Sequence, residues 1–261
     1  MKLSIIIVSY NTKDLTLDCI NSVFKFAPKI KFEVVVVDNG SSDGTVESLP
    51  KSVKVIKNNA NLGFSRANNQ GIKISKGKYI LLLNSDTKVT KGAIEKLISF
   101  AENADGAGVV GSQLLNADGS IQPSVFYLPT LGRTIAEFWL KGKKYLEKYA
   151  PQGSEPAEVE AVVGAAFLIT PKAQKRVGQL NEAYFMYFED LDYCREVRRK
   201  GLKVYYLPSS KIYHYHGASG KGIADASNQW KRLIPSSKTY HGLIKYYAIQ
   251  FMMKTSQKLL K

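Results

Sequence analysis

Three short stretches of the chain carry side chains of the types and spacings that do chemistry. Asn84-Ser85-Asp86 follows the apolar Leu81-Leu82-Leu83, so a polar side chain and a carboxylate stand two residues apart on one side of an extended chain. One carboxylate sharing an ion with phosphate oxygens suits Mg²⁺ or Mn²⁺. Glu189-Asp190-Leu191-Asp192 opens a helical pattern that continues through Val197, Arg198 and Arg199 to a stopping Gly201. Carboxylates at a helix start complement its dipole, and one held in place can also serve as a general base. His214 and His216 fall on one face of the extended Ile-Tyr-His-Tyr-His-Gly run. There a neutral imidazole can complete a metal shell or meet a diphosphate, the alternative being a simple hydrogen-bonded histidine. Cys19 and Cys194 show neither CxxC nor Cys/His spacing, which argues against zinc or a disulfide framework and for a reducing compartment.

These residues need elements to position them. Apolar runs at residues 3–8, 33–37, 53–57, 79–83 and 107–110 include several that are apolar throughout, as strands buried on both faces are. Between them, residues 13–26, 44–49, 65–75 and 91–103 carry helical spacing; in the last, Ile94, Leu97, Ile98 and Ala101 recur at i, i+3, i+4 and i+7. This βαβα order implies an α/β fold, a mostly parallel sheet flanked by helices, with ligands outside the carboxyl ends of the strands. The loops at those ends are short and polar: Ser9-Tyr10-Asn11, residues 38–44, residues 58–63 and Asn84-Ser85-Asp86. Each alone reads as a turn or cap, whereas four at one sheet edge outline a nucleotide-sized site. Neither GxGxxG nor GxxxxGK[ST] occurs in a strand-to-helix context, which disfavours a nicotinamide enzyme and a P-loop ATPase. Further on, Asn116-Ala117-Asp118-Gly119 reads as a hairpin turn, Lys141-Gly142-Lys143-Lys144 as a basic patch, and residues 151–156 as loop.

The chain has 261 residues, 44% hydrophobic and 23% charged, enough for one large domain and unlike a disordered or low-complexity sequence. Lys and Arg total 37 against 22 Asp and Glu, a net charge of +15 that points to an anionic partner: nucleic acid, a membrane surface or phosphorylated substrates. No apolar stretch approaches the length of a membrane span, and the N-terminal run is too short for a signal peptide, so a cytoplasmic location is expected.

In order along residues 3–219, the chain contains Ser-Ile-Ile-Ile-Val-Ser-Tyr-Asn from Ser4, Val-Val-Val-Val-Asp-Asn-Gly-Ser-Ser-Asp-Gly from Val34, and Asn-Leu-Gly-Phe-Ser-Arg-Ala-Asn-Asn-Gln-Gly from Asn61. Leu-Leu-Asn-Ser-Asp from Leu82, Gly-Ala-Ala-Phe-Leu-Ile from Gly164, Phe-Met-Tyr-Phe-Glu-Asp-Leu-Asp-Tyr-Cys-Arg from Phe185, and His214-Tyr215-His216-Gly217 with Ser219 complete the set. This ordered set resembles the inverting, GT-A-fold glycosyltransferases of family 2, in their rhamnosyltransferase-like branch. The resemblance implies that Ser9, Tyr10, Asn11, Asp38 and Asn39 line the nucleobase and ribose pocket, Asp38 accepting from a base N–H. It implies that Arg66 contacts the donor diphosphate, with Gly63 allowing close backbone approach and Asn68 holding the loop. The resemblance also puts Asn84, Ser85 and Asp86 at the family's metal-binding position, with Asp86 making the ionic contact to Mg²⁺ or Mn²⁺ and His214, by family position, the histidine ligand. Asp190 becomes the base that deprotonates the acceptor, with Asp192 pointing elsewhere on the helix toward Arg195 or Arg66. Gly164 and Ala165, at the end of a strand starting near Val159, admit the acceptor on the side of Glu189 and Asp192.

The expected organisation is a catalytic domain over residues 1–222, divided into a nucleotide-sugar half (1–111) and an acceptor half (112–222), followed by a basic amphipathic extension over 223–261. After Asp225 there is no acidic residue, while seven Lys and Arg alternate with apolar residues, a pattern of a helix lying on anionic lipid or packed on the core. His241 is expected to be structural or membrane-facing. The implied partners are a nucleotide-diphosphate sugar, dTDP-L-rhamnose first, and a glycan or polyprenyl-diphosphate-linked acceptor, at the inner face of the membrane. Donors of the UDP-hexose, UDP-GlcNAc or UDP-galactofuranose kind are alternatives. A nucleotidyltransferase lacks its Gly-rich phosphate loop here, and a nucleic-acid-binding module lacks a basic-aromatic recognition motif.

Overall fold

A computed structural model describes residues 1–140, 144–215 and 230–259. Lys141, Gly142 and Lys143 of the basic patch, His216, Gly217 and Ser219 of the closing motif, and Asp225 lie outside the described residues.

The first half alternates strand and helix: β1 (Leu3–Ser9), α1 (Lys13–Lys25), β2 (Phe32–Asp38), α2 (Thr45–Ser48), β3 (Lys54–Lys57), α3 (Phe64–Ile74) and β4 (Tyr79–Asn84). Then come β5 (Thr87–Val89), α4 (Ala93–Asn103) and β6 (Ala107–Leu115). β3, β2, β1 and β4 are adjacent and parallel, and their register pairs Ser9 with Asp38 and Val8 with Asn84. Three strands therefore end in one row, and their polar loops share one edge. The unbroken apolar runs have a plain cause: Leu81 and Leu83 of β4 enter the core on one face of the sheet, Ile80 and Leu82 the core on the other. Helix α4 buries Ile94, Leu97, Ile98 and Ala101.

The second half holds β7 (Ile121–Gln122), β8 (Val125–Phe126), α5 (Leu131–Phe138), β9 (Ala157–Val159), β10 (Ala161–Val162), β11 (Ala166–Ile169), α6 (Pro171–Arg176), α7 (Glu189–Arg199) and β12 (Lys203–His214). β11 inserts antiparallel between β4 and β6, and β12 runs parallel to β6. This corrects the expected strand from Val159: two short strands intervene, and Gly164 and Ala165 lead into β11 instead of closing one. Because β11 is antiparallel, with Ala166 opposite Leu83, its entry lies at the carboxyl end of β4. The hairpin turn expected at residues 116–119 joins β6 to β7.

The expected single C-terminal helix is two, α8 (Trp230–His241) and α9 (Leu243–Leu259), broken at Gly242, whose φ is +75°. They pack on the core: Ser236 Oγ donates to the Met186 carbonyl at 2.8 Å, Arg195 to the Tyr240 carbonyl at 3.1 Å, and Trp139 Nε1 to the Met252 carbonyl at 3.1 Å. Among the described residues no helix is long and apolar enough to cross a membrane.

Candidate active site

The strand ends enclose a cavity of about 580 Å³. Its polar wall is built by the loops after β1, β2, β3 and β4, through Tyr10, Asn39, Asn61, Asn84, Ser85 and Asp86. Asn39 staples two of these loops: its amide donates to Asn61 Oδ1 at 2.9 Å and the Gly63 carbonyl at 3.3 Å, and its Oδ1 accepts from Leu62 N–H and from Asn58, each at 3.1 Å. Every hydrogen-bonding position of that side chain is spent on the scaffold. Asp38 is fully buried and outside the cavity wall; its Oδ2 accepts from Ser41 N–H at 3.0 Å, while its Oδ1 has no hydrogen-bond partner among the described residues.

Several expected contacts prove to be supports. Ser9 turns its hydroxyl inward to Thr12 and Thr16 at 3.1 and 2.8 Å, and Thr12 passes the chain on to Ser85 at 3.2 Å. Asn11, in the left-handed region at φ 51°, accepts from Ser42 N–H and clips the first loop to the second. Gly63 does admit a close backbone, but the backbone is the protein's own: at φ +88° a Cβ would lie 2.6 Å from the Phe185 carbonyl oxygen, which accepts from Phe64 N–H at 2.7 Å. Asn68 donates to the Phe64 carbonyl at 2.9 Å, within the first turn of α3. Arg66 is exposed and its Nε lies 3.6 Å from Glu182, so the structure does not bring it to the cavity.

At the foot of the polar wall, His214 closes β12 with its Nε2 3.4 Å from Asp86 Oδ1. Its Nδ1 lies 2.7 Å from Gln122 Oε1, and Gln122 Nε2 donates to Asn116 Oδ1 and to the His214 carbonyl, which fixes the amide's orientation. Gln122 Oε1 must then accept and Nδ1 must donate, which turns Nε2 toward the Asp86 carboxylate. Asn84 Oδ1, lining the same cavity, is buried with no hydrogen-bond partner among the described residues. Asp86, His214 and Asn84 are oxygen and nitrogen groups of the kind that could hold a divalent cation, and the Gln122 contact is the kind of support that metal-binding imidazoles carry. No three His, Cys, Asp or Glu side chains cluster among the described residues, so such an ion would draw other ligands from substrate or water.

Across the cavity α7 begins after two consecutive left-handed residues, Tyr187 and Phe188, at φ 69° and 71°. Non-glycine residues hold that conformation at a cost of about 1–3 kcal/mol each. The turn is braced from outside: Phe188 packs on the Tyr240 ring at 5.3 Å, and Met186 accepts from Ser236. It delivers Glu189 and Asp190 side by side, both on the cavity wall. Asp190 accepts from Leu191 N–H at 2.8 Å and, on its other oxygen, from Gly164 N–H at 3.1 Å. Burial raises its pKa, opposed by those two N–H groups and by the charge of Lys148. Glu189 has less help, from its own backbone N–H alone: its Oε2 meets no donor among the described residues, and burial with the neighbouring Asp190 charge pushes it up to about 8. Both carboxyls are pushed up, and of the pair Asp190 is the one whose charged form two separate N–H groups and Lys148 favour.

Asp192 faces away from the cavity, pointing elsewhere on the helix as expected, so it does not join Glu189 on the acceptor side. It pairs with Arg195, whose guanidinium stacks 4.0 Å over the Tyr240 ring. Gly164 contributes its N–H; a methyl there would make ordinary contact, 3.6 Å from Asp190 Cβ, so no steric demand of the protein excludes a side chain. Ala165 is buried and its carbonyl accepts from Asn84 N–H at 2.9 Å. The reading of the sequence missed Lys148, which among the described residues is the one Lys or Arg on the cavity wall, and Gln122. It also missed that α8 and α9 form the far wall with Leu233, His241, Ile249 and Met253. His241 thus turns inward, where burial and the charges of Arg195 and Lys245 lower its pKa to about 4. The alternation of apolar and basic residues in the tail was visible; which face turned inward was not.

A sequence model of glycosyl transferase family 2 matches residues 4–156, the segment of the polar wall. The chain is 30% identical over 217 residues to N-acetylglucosaminyl-diphospho-decaprenol L-rhamnosyltransferase of Mycobacterium tuberculosis, covering 75% of this chain and 70% of that one. It is 28% identical over 209 residues to the low-salt glycan biosynthesis hexosyltransferase Agl10 of Haloferax volcanii, covering 77% and 63%. Among solved structures, TarS 1-349 of S. aureus superposes with a TM-score of 0.62 at 17% identity, over 98% of this chain and 71% of that one. GalNAc-T7 with UDP, GalNAc and Mn²⁺ superposes at 0.64 and 17%, over 83% of this chain and 44% of that one, so the chain spans less than half of it. The fold is thus the GT-A arrangement that the family resemblance implied, a mostly parallel sheet flanked by helices. With more than half its length inside the family's model, the chain belongs to glycosyl transferase family 2.

Proposed function

We propose that this glycosyltransferase moves L-rhamnose from dTDP-L-rhamnose, with inversion, to a hydroxyl of a glycan carried on a polyprenyl diphosphate, at the inner face of the membrane. The named activity of the mycobacterial relative supports the donor and the lipid-linked acceptor. The observation that carries the chemistry is the Glu189–Asp190 pair: two adjacent carboxyls in one cavity, of which Asp190 accepts from an N–H on each oxygen while Glu189 Oε2 meets no donor among the described residues. Asp190 takes the proton of the acceptor hydroxyl as its oxygen bonds to the anomeric carbon. On the opposite face the bond from that carbon to the phosphate oxygen breaks, its electrons leaving with the nucleoside diphosphate. Glu189, neutral, adds no like charge beside the base and can donate a hydrogen bond. Asn84, Asp86 and His214 would hold Mg²⁺ or Mn²⁺, which supplies positive charge to the departing diphosphate. Tyr10, Asn39 and Asn61, on the cavity wall, would flank the nucleoside.

The test is release of dTDP from dTDP-L-rhamnose, beside a panel of UDP-sugars, with Mn²⁺ and a polyprenyl-diphosphate-linked acceptor. NMR of the product reads the anomeric configuration. Inverted product, lost with chelator and in Asp86→Ala, is expected. Retained configuration would overturn the mechanism, an Asp86→Ala enzyme with unchanged metal requirement would remove Asp86 from the site, and turnover of a UDP-sugar alone would replace the donor.

A further inference from the structure

Helix α9 is apolar on two opposite faces. Its inner face places Ile249 and Met253 on the cavity wall, with Tyr246 and Ile249 only 6% and 7% exposed. Its outer face leaves Leu243 62%, Ile244 88%, Tyr247 58% and Phe251 65% exposed. At about 100° of turn per residue these four fall within an arc of roughly 100°, one continuous stripe with Lys254 inside it. Trp139, 39% exposed and bonded to the Met252 carbonyl, and Leu140, 73% exposed, extend the apolar surface from the end of α5. A helix apolar all round is normally covered all round, and a patch of this kind on a soluble surface marks an interaction site.

Charge decides what covers it. The sequence has no Asp or Glu after Asp225, and both Lys254, within the stripe, and Lys245, about a quarter-turn outside it, are exposed. Lys238 lies 5.4 and 5.5 Å over the rings of Tyr246 and Tyr247. A second copy would set the same cations face to face on chains of net charge +15, whereas an anionic bilayer neutralises them and takes the apolar stripe into its headgroup boundary.

We propose that the outer face of α9 docks on an anionic lipid surface, Leu243, Ile244, Tyr247 and Phe251 entering it and the flanking lysines meeting lipid phosphates. Docking would set the cavity one helix diameter, about 10 Å, from the bilayer. That second consequence rests on the lipid-linked acceptor proposed above; the docking does not.

The experiment is flotation of the full chain with vesicles of phosphatidylcholine, with and without phosphatidylglycerol. The protein is expected to float with the anionic vesicles and far less with the neutral ones. Ile244→Glu with Phe251→Glu should cut partitioning by more than about 30-fold, and Lys245→Ala with Lys254→Ala by about 10-fold or more, an effect that high salt reproduces. All four side chains are on the surface, so thermal stability should be unchanged, and a melt confirms it. Absence of flotation, or flotation unchanged in the Ile244→Glu/Phe251→Glu variant, overturns the proposal. So does a dimer in sedimentation that this variant dissociates, which would give the face to a second copy. No step of the readout requires sugar transfer: vesicle-bound protein that releases no dTDP would refute the donor and leave the docking face standing.

Discussion

Replacing Glu189 by glutamine should stabilise the protein at high pH and leave transfer largely intact, the reverse of Asp190→Asn. Glu189 is 7% exposed, and burial beside Asp190 moves its ionisation from 4.5 to about 8. Its folded pKa lies above the unfolded one, so the folded state keeps the proton longer. The contribution is fully present below pH 4.5 and is lost as the pH rises to about 8, staying lost above it. At about 1.4 kcal/mol for each tenfold change in proton affinity, the loss by pH 9 is on the order of 2–5 kcal/mol. For a chain of this size that corresponds to roughly 5–15 °C in Tm. Melting the wild type and Glu189→Gln at pH 5 and pH 9 checks it: the variant's advantage should be small at the lower pH and grow to that size at the higher. An advantage independent of pH would mean that Glu189 ionises as in the open chain and that the division of charge within the pair is wrong. Turnover provides the second arm. Asp190→Asn should lose about 10²–10⁴ in rate, and Glu189→Gln should stay within about tenfold of wild type. Equal losses would make Glu189 a base.

Gly63→Ala would set a methyl 2.6 Å from the Phe185 carbonyl at a φ of +88°; it should cost about 2–4 kcal/mol in chemical denaturation, and wild-type stability would refute the close approach. Gln122→Ala frees the His214 ring and should weaken Mn²⁺ binding by about 10–100-fold, read by electron paramagnetic resonance; unchanged affinity would show that Gln122 orients no ligand. Arg66→Ala should leave the KM for donor within about twofold, because the guanidinium sits at the surface beside Glu182. A tenfold rise would return it to the diphosphate, where the family resemblance puts it.

Much of the fold was legible because it rests on local patterns. A strand apolar at every position has to be buried on both faces, and parallel strands need helices between them, so β1 to β4 and their helices follow from composition and period alone. The polar loops follow too, since they are where those strands stop. The site was legible less evenly. Asn84, Asp86 and Asp190 could be read because each sits at the end or start of an element on the cavity wall. Ser9, Asn11 and Gly63 occupy similar positions but spend their groups on the scaffold, a distinction made by a rotamer or a neighbouring loop and absent from their spacing.

The sequence by itself determined the sheet, the edge at which ligands meet it and the residue types gathered there, because period and turn chemistry act over a few neighbours. Only the tertiary structure decided which of those residues reach the cavity. Gln122 lies 92 residues from the histidine it orients, and the strained Tyr187-Phe188 turn is held by a helix some 50 residues further on. The same holds for the tail. Its two apolar faces were written in its residues, but which one walls the cavity and which one lies open depended on where the rest of the chain had already left a surface to cover.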